Sequence, residues 1–117
     1  MSRPVAGTIV LVDWRTGAVP QEPTKIRPAV VVEGEALFPD SYPNTLVVPL
    51  TSDEGLAYPA FAERIEPTAK NGAQATSWAL AHHVTTVSLR RVQSTSSRIT
   101  PAQLHSLRQR ISLALGL

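Results

Sequence analysis

The chain has 117 residues, contains no Cys, and carries 11 Lys or Arg against 9 Asp or Glu, which gives a formal net charge of +2. A chain of this length suits one compact domain, and we expect residues 1–117 to form it. The absence of Cys excludes disulfides, zinc-thiolate sites and a thiol nucleophile. The small net charge excludes a bulk polycation that coats nucleic acid without selectivity.

The sequence shows no segment that would carry the chain into or across a membrane. Its longest apolar stretches are far shorter than the roughly 18 residues that a spanning helix needs. Residues 1–7 hold one Arg but lack the apolar segment of a signal peptide. We therefore expect a soluble protein of the cytoplasm.

Three apolar segments in the first half of the chain predict β-strands. Residues 7–14 and 27–33 are rich in β-branched and aliphatic side chains, and the second segment begins with an Arg-Pro step. The stretch between them contains Gly and Pro without a period, which predicts a long loop. Residues 45–51 are almost wholly apolar, which predicts a central strand with a bulge or an unpaired donor near Pro49.

The second half of the chain predicts further strands before its character changes. Residues 61–66 are interpreted as a strand, and Asn71-Gly72 as a turn. Residues 73–88 form either two strands or one long bent strand. Residues 94–97 are interpreted as a short polar connector.

A capping box begins the predicted C-terminal helix. Thr100 is followed three residues later by Gln103, with Pro101 at the first helical position. We expect the helix to end at Gly116 and to pack on the sheet. Its apolar stripe, with three- and four-residue spacing, consists of Leu104, Leu107, Ile111, Ala114 and Leu115.

Polar residues at the ends of the predicted strands are the candidates for a functional site. Glu22 lies in the first loop, Arg27 opens the second strand, and Thr51 closes the third. Each alone also fits a surface residue, and a Thr before Ser-Asp is typical of a turn. The sequence contains no phosphate loop, zinc-protease motif or nucleophile elbow. His82 and His83 are adjacent, so in a strand they would face opposite sides and could not share a metal.

These features resemble the MazF/PemK family of toxins over nearly the whole chain. That family opens with a Gly-led strand, a loop containing Glu, and Arg-Pro before an aliphatic strand. The matching segments here are GTIVLVD at 7–13, Glu22, and RPAVVV at 27–32. Further similarity lies in the third strand (VVPLTS, 47–52), the next segment (58–65), the Asn71-Gly72 turn and the C-terminal helix (99–117).

The resemblance implies a mainly β fold, an SH3-like β barrel of the CcdB/PemK/MazF type with a C-terminal helix. It also implies a homodimeric endoribonuclease of a type II toxin–antitoxin system. Such a toxin cleaves single-stranded RNA without a metal or other cofactor, inhibits translation and growth, and is silenced by a MazE-like antitoxin. Arg27 and Thr51 would be catalytic at the scissile phosphate, and the RNA-binding residues would be Glu22, Lys25, Ser52, Thr85 and Thr86.

One position departs from the family pattern. Many members carry Arg or Lys in the last strand, where this chain has Thr85. His83 is two residues away, so in a strand it would lie on the same face, roughly 7 Å along. An imidazole with an ordinary pKa of about 6.5 can exchange protons near neutrality, which makes His83 the candidate third catalytic residue. The alternative is an ordinary half-buried or surface strand residue.

Two further questions stay open at this point. Trp14 and Trp78 fit either stacking on RNA bases or packing in the core or a dimer contact.

A CcdB-like toxin that poisons gyrase by protein contact is a rival function, although this chain ends in Ala-Leu-Gly-Leu instead of an aromatic helix tip. The other rival is a degenerate family member that binds RNA or antitoxin without cutting, because Thr85 stands where many members have Arg or Lys.

Overall fold

The computed structural model describes residues 3–14 and 26–117, which form an antiparallel sheet and a C-terminal helix. In chain order the strands and the helix are β1 (Thr8–Asp13), β2 (Ile26–Val31), β3 (Asn44–Thr51), β4 (Ala62–Ile65), β5 (Ser77–Leu80), β6 (Thr85–Ser88), β7 (Val92–Arg98) and α1 (Pro101–Ala114). Single turns of 3₁₀ helix lie at Glu54–Leu56, Ala81–His83 and Leu89–Arg91. The predicted fold class, mainly β with a terminal helix, is confirmed.

The seven strands form one sheet that remains open. Its order is β4-β5-β3-β2-β1-β7, and β6 also pairs with β3. Within the described ranges β4 and β7 are not hydrogen-bonded to each other, so the expected barrel is not closed by a ladder. The loop after β4 approaches β7 instead, because the amide of Arg98 donates to the carbonyl of Lys70 at 2.9 Å.

Strand β3 is central, as predicted, and it pairs along both edges. One edge pairs with β2, and the other pairs first with β6 through Asn44–Val47 and then with β5 through Leu50 and Thr51. Between these two ladders β3 advances from Val47 to Leu50 while the opposite chain runs from Ala79 to Thr85. The extra residues form the 3₁₀ turn Ala81–His83. Of the two alternatives for residues 73–88, the structure therefore shows two strands, β5 and β6, separated by this turn. The interruption coincides with Pro49, which has no N–H to donate.

Both faces of the sheet are apolar, which explains the nearly continuous hydrophobic runs in its central strands. Alternate residues point to opposite faces, so neighbouring side chains of one strand enter different clusters. The helix-side cluster consists of Ile9, Val30, Val32, Val48, Ile65, Ala79, Ala81, Ile99 and Leu107. The far-side cluster consists of Val10, Val12, Ala29, Val31, Val47 and Val87, with Trp14 and Val92 packed against it.

Two sequence interpretations need correction. Residues 94–97 are not a connector but part of β7, which pairs with β1 on one edge. The strand lies at the end of the sheet order and most of its side chains face solvent, so a polar sequence is tolerated there. Leu115 does not continue the apolar stripe, because it is the C-cap of α1 and is 63% exposed.

The helix itself begins as the capping pattern predicts. The amide of Gln103 donates to the Thr100 hydroxyl oxygen at 3.0 Å, and the amide of Thr100 donates to the Gln103 side-chain oxygen at 2.9 Å. Leu107 is fully buried, and Leu104 and Ile111 pack beside it on the helix-side cluster. In the part of the chain that the structure describes, no helix has the length and apolarity needed to cross a bilayer.

A buried ion pair ties the N-terminal segment to the sheet. The Arg3 guanidinium donates to both carboxylate oxygens of Glu33, at 3.0 and 2.6 Å, and the side chains are only 6% and 8% exposed. Thr45 donates to the same carboxylate, and Arg3 also donates to the carbonyls of Tyr42 and Asn44. The hydrogen bond from Arg3 holds the pKa of Glu33 below its ordinary value, although burial opposes this effect.

The lowered pKa of Glu33 predicts how acid acts on the fold. As the pH falls below about 4.3, the ordinary pKa of Glu, the unfolded chain takes up this proton before the folded chain does. The free energy of unfolding should therefore decrease as the pH falls toward the lowered pKa, and Glu33→Gln should remove this contribution. At neutral pH, Arg3→Met should cost about 3–5 kcal/mol, because it leaves a buried carboxylate unpaired.

Urea unfolding curves recorded across the acid range measure both effects. The exposed Glu54 provides the control, since Glu54→Gln should keep the wild-type pH dependence. An acid response unchanged by Glu33→Gln would contradict the assignment.

Candidate functional site

Arg27 and Thr51, predicted separately from the sequence, lie on neighbouring strands and on the same face. Arg27 is two residues before Ala29, and Thr51 is four residues after Val47; both of these apolar residues belong to the far-side cluster. Strands β2 and β3 pair in the register Ala29↔Pro49, Val30↔Val48 and Val31↔Val47. The ladder ends at Ala29↔Pro49, and extending its register by two more residues would place Arg27 opposite Thr51, at a Cα separation of about 5 Å.

The same pairing extends across the next two strands. Thr51 is opposite Trp78 of β5, and Trp78 is opposite Arg64 of β4. Because directly opposed residues share a face, Arg27, Thr51, Trp78 and Arg64 form one line across the sheet, which we call the site row. Sequence reasoning missed Arg64 and left Trp78 undecided. The signal that finds them is the strand register, which depends on contacts distant in sequence.

Local hydrogen bonds prepare the Thr51 hydroxyl to donate. Its Oγ1 accepts from the amide of Asp53 at 3.0 Å, and Asp53 in turn accepts from the amide of Gly55 at 2.9 Å at the start of a 3₁₀ turn. The predicted turn chemistry is therefore present. Since the hydroxyl oxygen already accepts, its proton is available to an anionic oxygen in front of the sheet.

The Arg27 guanidinium is exposed, and none of the described residues pairs with it. Its neighbours Ala29 and Val31 are fully buried, which anchors the backbone that carries it. Ser52 lies one residue beyond Thr51. It lines a cavity of about 390 Å³ on the helix side of the sheet, together with Pro28 and Leu50.

The other predicted RNA-binding residues are more widely spread. Thr85 is exposed opposite Val47, four residues and about 13 Å along β3 from Thr51. Thr86 is opposite Leu46 and points to the helix side, where it lines a small recess with Phe38 and Tyr42. Within one chain, neither residue joins the site row.

The predicted RNA-binding residues Glu22 and Lys25 lie outside the described residues. Trp14 is partly buried and packs against the far-side cluster.

The strand geometry assumed for His82 and His83 was wrong. Both belong to the 3₁₀ turn Ala81–His83, and their rings contact each other edge to face at a centroid distance of 4.4 Å. The argument that alternation separates them therefore fails, as does the argument that places His83 on the face of Thr85. No third His, Cys, Asp or Glu joins them as a metal-binding group in the described ranges. Partial burial, and secondarily the positive charge of a protonated His82, lower the pKa of His83.

The comparisons with known proteins agree with this architecture. The sequence matches the family described as "PemK-like, MazF-like toxin of type II toxin-antitoxin system" over residues 6–115. No curated protein sequence matches the chain. Since the family match covers most of the chain, the resemblance noted from the sequence is confirmed.

Solved structures share the fold at low sequence identity. The Mycobacterium tuberculosis toxin MazF-mt6 superposes with a TM-score of 0.70 at 20% identity, covering 94% of this chain and 97% of that one. A MazE-MazF structure (Form-II) from Deinococcus radiodurans gives 0.74 at 24% identity, with 97% and 96% covered. An endoribonuclease in complex with its cognate antitoxin from Mycobacterial species gives 0.75 at 18% identity, with 98% and 97% covered.

The family match and the shared fold together identify the protein: the chain belongs to the PemK-like, MazF-like toxins of type II toxin-antitoxin systems.

Proposed function

We propose that this protein is a sequence-selective endoribonuclease that cleaves single-stranded RNA without a metal ion and thereby inhibits translation and growth. The observation that carries the proposal is the site row, in which the extended register of β2 and β3 places an exposed guanidinium opposite a hydroxyl that is free to donate. A phosphodiester lying across β2 and β3 would meet both groups. Family membership supports the same reaction class.

The reaction needs little more than positioning and charge stabilisation. The 2′-hydroxyl attacks the adjacent phosphorus, the new P–O2′ bond forms, and the bond to the 5′-oxygen breaks, which leaves a 2′,3′-cyclic phosphate and a 5′-hydroxyl. The attacking oxygen loses a proton and the leaving oxygen gains one. Arg27 stabilises the doubly negative transition state by charge and hydrogen bonding, and Thr51 donates to the same phosphate.

An antitoxin and a second subunit complete the proposal. The Deinococcus radiodurans structure described above is of MazE-MazF, and the Mycobacterial endoribonuclease is in complex with its cognate antitoxin. We infer that this chain acts as a cytoplasmic homodimer and that a MazE-like antitoxin silences it by covering the site face. Glu22, Lys25, Ser52, Thr85 and Thr86 remain the proposed further RNA contacts, and a groove between two subunits would gather residues that one chain keeps apart.

Arg27→Ala should reduce the cleavage rate by about 100-fold or more, because it removes a guanidinium from the charge that develops at phosphorus. The fold should be unaffected, since the side chain is exposed. Thr51→Val should cost less, because one neutral donor is lost. The measurement is the initial rate of cutting of a long single-stranded RNA, with circular dichroism as the folding check.

Arg90 is the matched control for this substitution. It is an exposed arginine that follows Ser88, which is opposite Asn44 at the far end of β3. Arg90→Ala should cut at nearly the wild-type rate. Near-normal cutting by Arg27→Ala would reject the site, whereas RNA that the wild type binds but never cuts would identify a degenerate member of the family.

Cleavage should persist in excess chelator, because the proposed mechanism uses a guanidinium and a hydroxyl where other nucleases use divalent ions. Mapping of the product ends should find discrete sites with 2′,3′-cyclic phosphates. Activity that disappears in EDTA and returns with an added divalent ion would overturn the mechanism.

His83 gives a prediction on pH. Its turn contacts α1 on the helix side of the sheet, opposite the site row, so a role for His83 as the base that takes the proton of the attacking hydroxyl is a separate proposal, which the pH profile tests. A base acts in its neutral form, so the rate should rise with pH through a step below about 6.5, since the pKa of His83 is lowered. His83→Gln should remove this step.

His82 cannot serve as a silent control, because its ring contacts that of His83. His82→Gln should move the step to higher pH by removing a neighbouring positive charge. The control is His105→Gln on the exposed side of α1, which should leave the profile unchanged. Superimposable profiles for wild type and His83→Gln would leave this histidine without a catalytic role.

A further inference from the structure

We propose that Trp78 is a base-stacking residue of the RNA site, and that it binds the base next to the scissile phosphate. Arg64, the next residue of the site row, would then face the following phosphate. The proposal rests on the function proposed above, because it places RNA along the row that contains Arg27 and Thr51.

The position of Trp78 follows from the pairing of three strands. It is directly opposite Thr51 on one side and Arg64 on the other. Neighbouring strands lie about 4.8 Å apart, so the Trp78 backbone is about 5 Å from Thr51 and roughly 10 Å from Arg27. An indole at that distance reaches a base attached to the sugar beside a phosphate held by Arg27 and Thr51.

The indole is not required by either apolar cluster. Its neighbour Ala79 is fully buried in the helix-side cluster, so alternation turns Trp78 to the opposite face, the face of the site row. Trp78 is half-buried, and it does not belong to the far-side cluster against which Trp14 packs. Among the described residues no aromatic ring stacks on it.

Stacking suits this location for chemical reasons. Every base has a π-face, so an aromatic platform binds single-stranded RNA without demanding one sequence. A stacked base also fixes the sugar that carries the attacking hydroxyl. Arg64 contributes less, because its guanidinium is paired with the exposed Glu66 in a surface ion pair that must open to bind phosphate.

The test separates binding from cleavage. A fluorescein-labelled single-stranded RNA with 2′-O-methyl groups cannot be cut, because it lacks the attacking hydroxyl, and its affinity is measured by fluorescence anisotropy. Trp78→Leu should weaken binding by about tenfold or more, the loss expected for one stacked base. Trp78→Phe should retain most of the affinity, and Arg64→Gln should lower it slightly and reduce its salt dependence.

Two controls and one spectroscopic signature make the result specific. Tyr58→Leu removes an exposed ring that stacks on Phe61, a residue of the helix side, and should bind like wild type. Arg90→Gln removes an exposed charge at the far end of β3 and should bind more tightly than Arg27→Gln. In a Trp14→Phe background, where Trp78 is the only indole, RNA should quench the fluorescence. The quenching measurement does not use Trp78→Leu, so it remains a valid test if that variant fails to fold.

Several results would overturn the proposal. Wild-type affinity in Trp78→Leu, equal losses in Trp78→Leu and Tyr58→Leu, or no quenching would each reject stacking. If light scattering gives Trp78→Leu a different mass from the wild type, Trp78 is a subunit contact instead of a base-stacking residue. If the wild type cuts RNA and Trp78→Leu binds normally, only this inference fails, whereas a wild type that neither binds nor cuts RNA removes the proposed function as well.

Discussion

The pairing of β2 with β3 is the constraint on which the rest of the structure depends. Val30 and Val48 are opposite each other, both are fully buried, and both belong to the cluster beneath α1. A shift of this ladder by one residue would turn every side chain of one strand to the wrong face. The same register sets the ends of the two strands side by side. The core and the candidate site are therefore fixed by one set of hydrogen bonds.

Much of the fold could be predicted from the sequence because its central strands and its helix are encoded locally. The apolar runs around Val10, Val30 and Val47 mark buried strands, and the Thr100 capping box marks the start of α1. Strand β7 escaped notice because an edge strand needs few apolar side chains. The turn at Ala81–His83 could not be foreseen either, since it exists only because two segments pair with the same edge of β3.

The candidate site likewise contains residues that the sequence reveals locally and residues that only the strand pairing reveals. Arg27 and Thr51 were visible as polar residues at the ends of apolar strands. Trp78 and Arg64 carry no comparable local signal, because a tryptophan and an arginine in short strands are ordinary, and only the register places them in line with Thr51. The predicted orientation of His83 was wrong for a different reason, because it assumed the alternation of a strand for residues that form a turn.

The turn between β5 and β6 has a consequence for how this chain can vary. It absorbs a mismatch in length between two ladders on one edge of β3, so it uncouples the alignment of β6 from that of β5. Insertion or deletion of a residue beside His82 and His83, the exposed part of the turn, would change the turn while buried Ala81 held the end of β5 and Trp78 kept its place opposite Thr51. The half of the sheet that carries the site row is thus insulated from changes in the half that carries Thr85, and the two halves can diverge independently.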